Sequence, residues 1–192
     1  MRLTLCAKKL TMRKIVSTFL LIFALTQAFG QTQKKVTTYL LGQYNKTITD
    51  ATLGNNPSGI GVGLETFFNT KTKFKTTIEL TANVYLEDDK VLRTDATRAT
   101  IDDVRNMITL FVGESYDLAE NIYVSVVAGP AFNNTTALLG VKPSIGFYFS
   151  KNRRWTGKLS YINIFNRNKT TKEDFDSVSF AIGLKLFGDG LN

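Results

Sequence analysis

The chain of 192 residues contains no histidine. This absence excludes the usual Ser-His-Asp and Cys-His arrangements for nucleophilic catalysis and removes a frequent zinc ligand. Serine is present, but the sequence offers it no obvious activating base. We therefore expect a protein that is not an enzyme, with no cofactor and no metal site.

Cysteine is almost as scarce, and the only one, Cys6, lies in a segment that we expect to be removed. That segment has a basic start, an apolar run too short to span a bilayer as a helix, and the small residues Ala28 and Gly30 at a cleavage site. It predicts a signal peptide over 1–30, followed by a single domain over 31–192. A retained N-terminal anchor is the alternative.

Positive charge is modest once the leader is set aside. The leader holds five basic and no acidic residues, so the formal net charge falls from +8 to +3. We therefore expect no nucleic-acid partner. No apolar stretch of the remaining chain is long enough for a membrane-spanning helix, so any membrane crossing must use strands.

What the sequence does have is a repeated alternation of apolar and polar residues. In 74–86 the even positions are apolar apart from Thr76, whereas the odd positions are Lys, Thr, Glu, Thr, Asn and Tyr. A period of two places these sets on opposite faces of a strand. Such patterns predict eight strands, at 36–46, 60–69, 74–86, 107–118, 122–133, 139–150, 155–166 and 178–186. In the first strand it is ambiguous whether the odd or the even positions form the apolar face. Glu114 interrupts the apolar face of the fourth.

The connections between these strands are predicted to alternate strictly between short and long. The segments 69–73, 118–121 and 150–154 form tight turns, while 87–106 and 166–177 are long, polar and charged. Bacterial outer-membrane barrels have short periplasmic turns at one rim and longer extracellular loops at the other. The two long segments are therefore expected to face the outside of the cell.

The predicted fold is all-β, an eight-stranded antiparallel up-and-down transmembrane β-barrel. The same strands could also close a soluble barrel whose apolar face surrounds a ligand. Three features favour the membrane barrel. The less apolar face is rich in Gly, Ser, Thr and lone charges, aromatic residues flank the strands, and the turn lengths alternate.

Lone charges on the polar face are the candidate site. They are Glu65, Lys75, Glu79, Lys142, Lys158 and Lys185. The interior of an eight-stranded barrel is just wide enough for side chains to fill it, so these groups are expected to meet in a buried network of ion pairs and hydrogen bonds. We interpret this network as structural packing, with a proton or ion path as the alternative.

Two hairpins carry a resemblance to a known family. The segment PSIGFYFSKNRRWTGKLSYINI (143–164) resembles the penultimate hairpin of the small outer membrane protein beta-barrel domains common in Bacteroidota, and YDLAENIYVSVVAGPAF (116–132) resembles the hairpin before it. The resemblance implies an OmpA/OmpX-like barrel in the cell outer membrane. Its implied partners are outer-membrane lipid and the barrel-assembly machinery, and it transfers no catalytic residue.

The function expected from these features is a structural or surface-interaction role for a non-catalytic integral outer-membrane barrel. The loops 87–106 and 166–177 would meet a surface partner that the sequence does not identify. The alternatives are a narrow porin or small-ligand carrier, and a soluble periplasmic barrel that binds an apolar ligand.

Overall fold

A computed structural model describes residues 36–48, 57–86, 106–133, 136–165 and 174–188. The predicted leader and most of the two predicted long loops lie outside these residues. Within the described part of the chain, no helix is both long and apolar enough to cross a membrane.

The described residues form eight strands that close into a barrel. They are β1 (Val36–Thr47), β2 (Ser58–Asn69), β3 (Phe74–Leu86), β4 (Asn106–Ala119), β5 (Ile122–Asn133), β6 (Thr136–Tyr148), β7 (Trp155–Ile164) and β8 (Phe175–Phe187). Each strand pairs antiparallel with the next, and β1 pairs antiparallel with β8. This confirms the predicted eight-stranded antiparallel barrel.

The period-two pattern decides which face of each strand points outward. On β3, the Leu80 side chain is 45% exposed on the outside, whereas its neighbour Thr81 is 2% exposed in the lumen. Large apolar side chains form a belt around the outer wall, among them Leu40, Ile60, Val62, Leu64, Val84, Ile108, Leu110, Val126, Leu139, Leu159 and Ile182. A soluble barrel built on this pattern would need its apolar face inside, which is the opposite arrangement. The barrel therefore has the facing of a membrane-spanning barrel.

Aromatic side chains mark both ends of the apolar belt. We call the end with the β2–β3, β4–β5 and β6–β7 turns the turn rim, and the opposite end the loop rim. Exposed aromatic residues at the turn rim are Phe74, Phe149, Trp155 and Phe187, and those at the loop rim are Tyr44, Phe132, Tyr161 and Phe165. Such girdles are found where a barrel meets the two membrane–water interfaces.

Two strand starts were predicted three residues too late, several other boundaries differ by one or two residues, and one predicted connection was wrong. β6 begins at Thr136 rather than at 139, and β8 begins at Phe175, inside the predicted loop 166–177. Only residues 134 and 135 separate β5 from β6, so the strict alternation of short and long connections fails there. The cause is an apolar lumen near the loop rim: Leu138 packs against buried apolar residues there, and inward Phe175 is fully buried. Both faces are therefore apolar at the start of β6, whereas β8 begins with an inward apolar Phe175 beside an outward polar Asp176, which inverts the polarity pattern.

Candidate functional site: the barrel lumen

The lumen is filled by three layers of side chains. Toward the turn rim lies the aromatic layer, consisting of Tyr39, Leu41, Phe67, Tyr123 and Tyr148. Toward the loop rim lies the apolar layer, consisting of Tyr85, Met107, Phe111, Val127, Ala131, Ile162, Ile164 and Phe175. Charged residues occupy the level between them, since Glu65 precedes Phe67 on β2 and Lys158 precedes Ile162 on β7.

Four charged side chains form the central cluster, namely Glu65, Glu79, Lys142 and Lys158. The Lys158 ammonium donates to Oε1 of Glu65 at 2.7 Å and to Oε2 of Glu79 at 2.5 Å. The Lys142 ammonium donates to Oε1 of Glu79 at 2.5 Å. None of the four is more than 1% exposed. Two negative and two positive charges thus neutralise one another inside the barrel.

Strand register explains why these residues meet. Glu65 on β2 and Glu79 on β3 are direct cross-strand partners, so their carboxylates repel each other unless a cation lies between them. Lys142 and Lys158 lie on β6 and β7, three or four strands from the glutamates that they contact around an eight-stranded barrel. They therefore cross from the opposite wall, and the contacts tie the two halves of the barrel together.

Energetically, the cluster makes each member dependent on the others. A buried ion pair adds little net stability over apolar packing, because taking both charges out of water is costly. Removing one partner, however, leaves the other charge buried without compensation. The cluster therefore adds little stability as a whole, whereas the loss of one member is costly.

The other two predicted network residues lie elsewhere. Lys75 contacts a carboxylate oxygen of Asp117 at 2.6 Å, and Lys185, half-buried, donates to the backbone oxygen of Asn152 at 2.7 Å. Arg153 lies 3.6 Å from the Asp117 carboxylate. Together Lys75, Asp117 and Arg153 form what we call the turn-rim cap.

The cap covers the aromatic layer. The Arg153 guanidinium lies 4.5 Å from the centroid of the Tyr148 ring, and the Lys75 ammonium lies 5.7 Å from the same centroid. The Tyr39 hydroxyl donates to the backbone oxygen of Arg153 at 2.8 Å, which anchors the β6–β7 turn across the end of the barrel. Below the cap, the Tyr123 and Tyr148 rings stack with centroids 5.1 Å apart. Cations and aromatic rings thus close the lumen at the turn rim.

Sequence reasoning missed Asp117 and Arg153 as lumen residues. Asp117 follows Ser115 at the spacing of the polar face of its strand, and this phase could have revealed that it points inward. Arg153 has a φ of 51° in a turn, so no strand period applies to it. Its contacts with Asp117 and Tyr148 depend on the closure of the barrel, which the local sequence does not encode.

Uncharged polar side chains complete the lumen. Asn83 Oδ1 accepts hydrogen bonds from the side-chain amides of Gln43 and of Asn45, the latter at 2.9 Å. Cross-strand hydroxyl pairs join Thr77 to Ser115 at 2.5 Å, and Thr81 to Thr109 at 2.6 Å. These hydrogen bonds satisfy part of the polar face, because polar groups that are buried need hydrogen-bond partners.

The arrangement holds charges in fixed positions and offers little else. Among the described residues, no three His, Cys, Asp or Glu side chains are grouped so that they could hold a metal ion. Both buried carboxylates are in contact with lysine ammonium groups. The chemistry of the lumen is therefore that of packing and neutralisation.

Comparison with known proteins places the fold. No protein-family model matches the chain, and no curated protein matches its sequence. Among solved structures it resembles Ail, the attachment invasion locus protein of Yersinia pestis, at 9% identity and a TM-score of 0.52, over 81% of this chain and 100% of Ail. A designed transmembrane β-barrel is similar over 82% of this chain and 99% of its own, at 14% identity and a TM-score of 0.45. The chain thus has the fold of the small membrane barrels.

Proposed function

We propose that this protein is a non-catalytic integral barrel of the cell outer membrane with a structural or surface-interaction role. The observation that carries the proposal is the inversion of polarity between wall and lumen. Leu80 and its outer-face equivalents are exposed, whereas Glu65, Glu79, Lys142 and Lys158 are enclosed. In water this arrangement would expose a continuous apolar belt, and in lipid it is satisfied.

Strand length supports the same proposal. The strands contain 10 to 14 residues, and a tilted strand needs about 9–11 to cross the hydrocarbon core. Lipid of the outer membrane is then the first partner, and the barrel-assembly machinery is the partner during insertion. We also propose that the chain is one of the OmpA/OmpX-like small barrels of the Bacteroidota type, a proposal supported by the resemblance of segment 143–164, which spans most of β6 and all of β7 in the hairpin they form.

A surface-interaction role follows from the connections at the loop rim. The chain between β3 and β4 and between β7 and β8 is long and polar, while the turns at the opposite rim are short. Loops that a rigid scaffold positions commonly carry recognition. We propose that 87–105 and 166–173 contact a surface partner outside the cell.

Cell fractionation tests the membrane assignment. We expect the protein to sediment with outer membranes, to remain there after a high-pH carbonate wash, and to need detergent for extraction. Release into the soluble periplasmic fraction without detergent would contradict the proposal and would favour the soluble ligand-binding barrel.

Conductance tests the closed lumen. Three filled layers and the turn-rim cap predict no discrete conductance steps after reconstitution into a planar bilayer. Regular steps that persist in purified protein would contradict the structural role and would favour a narrow porin.

A further inference from the structure

One row of the barrel wall carries serine on five consecutive strands. In this row, which we call the serine row, each residue is the direct cross-strand partner of the next: Ser115 on β4, Ser125 on β5, Ser144 on β6, Ser160 on β7 and Ser179 on β8. Lys75 on β3 precedes it, and Asn45 on β1 follows it. Because strands tilt in a barrel, the row climbs along the lumen wall from the turn rim toward the loop rim.

The lower part of this row, nearer the turn rim, and its upper part, nearer the loop rim, differ in their hydrogen bonding. Ser115 is paired with Thr77 across the lumen wall. The hydroxyls of Ser144, Ser160 and Ser179 have no protein partner. Ser160 is 3% exposed, and Ser179 is fully buried. Buried hydroxyls in native proteins nearly always have a partner, so the upper part of the row calls for one.

Further unpaired oxygens face the lumen from neighbouring strands. The side-chain nitrogens of Gln43 and Asn45 both donate to Asn83, which leaves Gln43 Oε1 and Asn45 Oδ1 without a protein donor. Both residues are at least nine-tenths buried. Ser177, fully buried on β8, also has an unpaired hydroxyl. Three adjacent strands, β7, β8 and β1, thus direct unpaired buried oxygens into the same part of the lumen.

The neighbouring charges determine which ligand fits. Lys142 is two residues from Ser144 on β6, and Lys158 is two residues from Ser160 on β7, so the row passes between two ammonium-bearing side chains on the same wall. Glu65 and Glu79 neutralise both lysines, so the row calls for no charge on its ligand. The unpaired amide oxygens accept hydrogen bonds and do not donate them, which disfavours an anion. A small neutral molecule that both donates and accepts satisfies all these groups, and water is the smallest molecule of that kind.

We propose that the upper serine row, together with Ser177, Asn45 and Gln43, binds a file of ordered water molecules. Each water would make the two to four hydrogen bonds that buried water usually makes, linking hydroxyls on adjacent strands to the amide oxygens. The aromatic layer and the turn-rim cap close the lumen on the other side. The file would therefore lie on the loop-rim side of the aromatic layer, beside the buried apolar residues there.

Alanine substitutions distinguish a hydrated wall from a dry one. A water-bound hydroxyl contributes hydrogen bonds, so Ser179→Ala and Ser177→Ala should lower the urea midpoint of unfolding of the full-length processed protein in lipid vesicles. Ser115→Ala, which removes a hydroxyl with a protein partner, serves as the matched reference and should shift the midpoint in the same direction. If the wall is dry, Ser177→Ala and Ser179→Ala remove an unpaired polar group, and the midpoint should rise.

A crystal structure of the unmodified protein supplies the second measurement. The proposal expects ordered water within hydrogen-bond distance of the Ser160, Ser177 and Ser179 hydroxyls, in contact with Asn45 or Gln43. A midpoint that rises or stays unchanged in both alanine variants would overturn the proposal, and so would the absence of water density at these hydroxyls at a resolution that shows other buried water.

Discussion

At the scale of single residues, Glu79 is the centre of the lumen because it contacts both lysines of the central cluster. Glu79→Gln keeps the size of the side chain and removes its charge, which leaves the buried Lys142 without the carboxylate it contacts. We expect a loss of about 3–5 kcal/mol in the free energy of unfolding, measured by urea titration in lipid vesicles. Glu120→Gln is the control, because Glu120 is exposed in the β4–β5 turn; it should cost within about 0.5 kcal/mol.

A double variant separates the charge from the packing. Adding Lys142→Met to Glu79→Gln removes the uncompensated ammonium, so part of the lost stability should return. If the loss in the free energy of unfolding of the double variant equals the sum of the losses of the two single variants, the cluster is not coupled and the prediction is contradicted.

Gly146 lacks a side chain at a position where a neighbouring ring occupies the space that a Cβ would take. A Cβ there would lie 2.0 Å from the ring of Tyr123, its direct cross-strand partner in the aromatic layer. Gly146→Ala should therefore destabilise the barrel by about 1–3 kcal/mol through overpacking. Gly42→Ala is the control, since a Cβ at Gly42 meets nothing within 4 Å, and it should leave stability unchanged or slightly raised. Equal effects in urea titration would show that the Tyr123 ring does not lie over Gly146.

At the scale of strands and turns, the sequence predicted the middle of each strand better than its ends. Period two in 74–86 predicted β3 with both of its boundaries. The starts of β6 and β8 were missed because Leu138 and Phe175 face an apolar part of the lumen, where polarity no longer marks the inner face. The ambiguous phase of β1 is resolved only by its pairing with β2 and β8, which puts Gln43 and Asn45 inside.

The alternation of polar and apolar residues could not predict which residues form ion pairs, for a related reason. Parity correctly indicates that Lys75 and Glu79 share the inner face of β3, but it does not say which opposite wall each of them meets. That depends on the tilt and stagger of the closed barrel. Lys75 consequently meets Asp117 of β4 at the rim, whereas Glu79 meets the lysines of β6 and β7.

The β6–β7 turn carries a prediction of its own. Arg153→Ala removes the guanidinium over Tyr148 and the contact with Asp117, and should cost about 1–2 kcal/mol. Lys151→Ala, at an exposed position of the same turn, should cost within about 0.5 kcal/mol. Thermal unfolding followed by the shift between folded and unfolded bands on unboiled gels would measure both. A loss for Lys151→Ala as large as that for Arg153→Ala would mean that the turn, and not the cap, is responsible.

At the scale of the whole molecule, the stability of the barrel depends on which solvent each face meets. The outer wall is apolar between two aromatic girdles, and the lumen encloses neutralised charge behind the turn-rim cap. A barrel with this distribution has an outer wall suited to lipid and a lumen suited to paired polar groups. Sequence periodicity indicated two faces, but only the closed barrel shows which one is enclosed.

The most direct test compares adjacent positions of β3. Because Cys6 lies in the predicted leader, a cysteine introduced at position 80 or 81 is the only one in the processed chain. Each variant is folded without a label into vesicles and is then treated with a lipophilic maleimide that partitions into the lipid acyl chains. We predict that Leu80→Cys is modified and that Thr81→Cys is not. Modification at 81 without modification at 80 would contradict the facing of the barrel and the membrane location that rests on it.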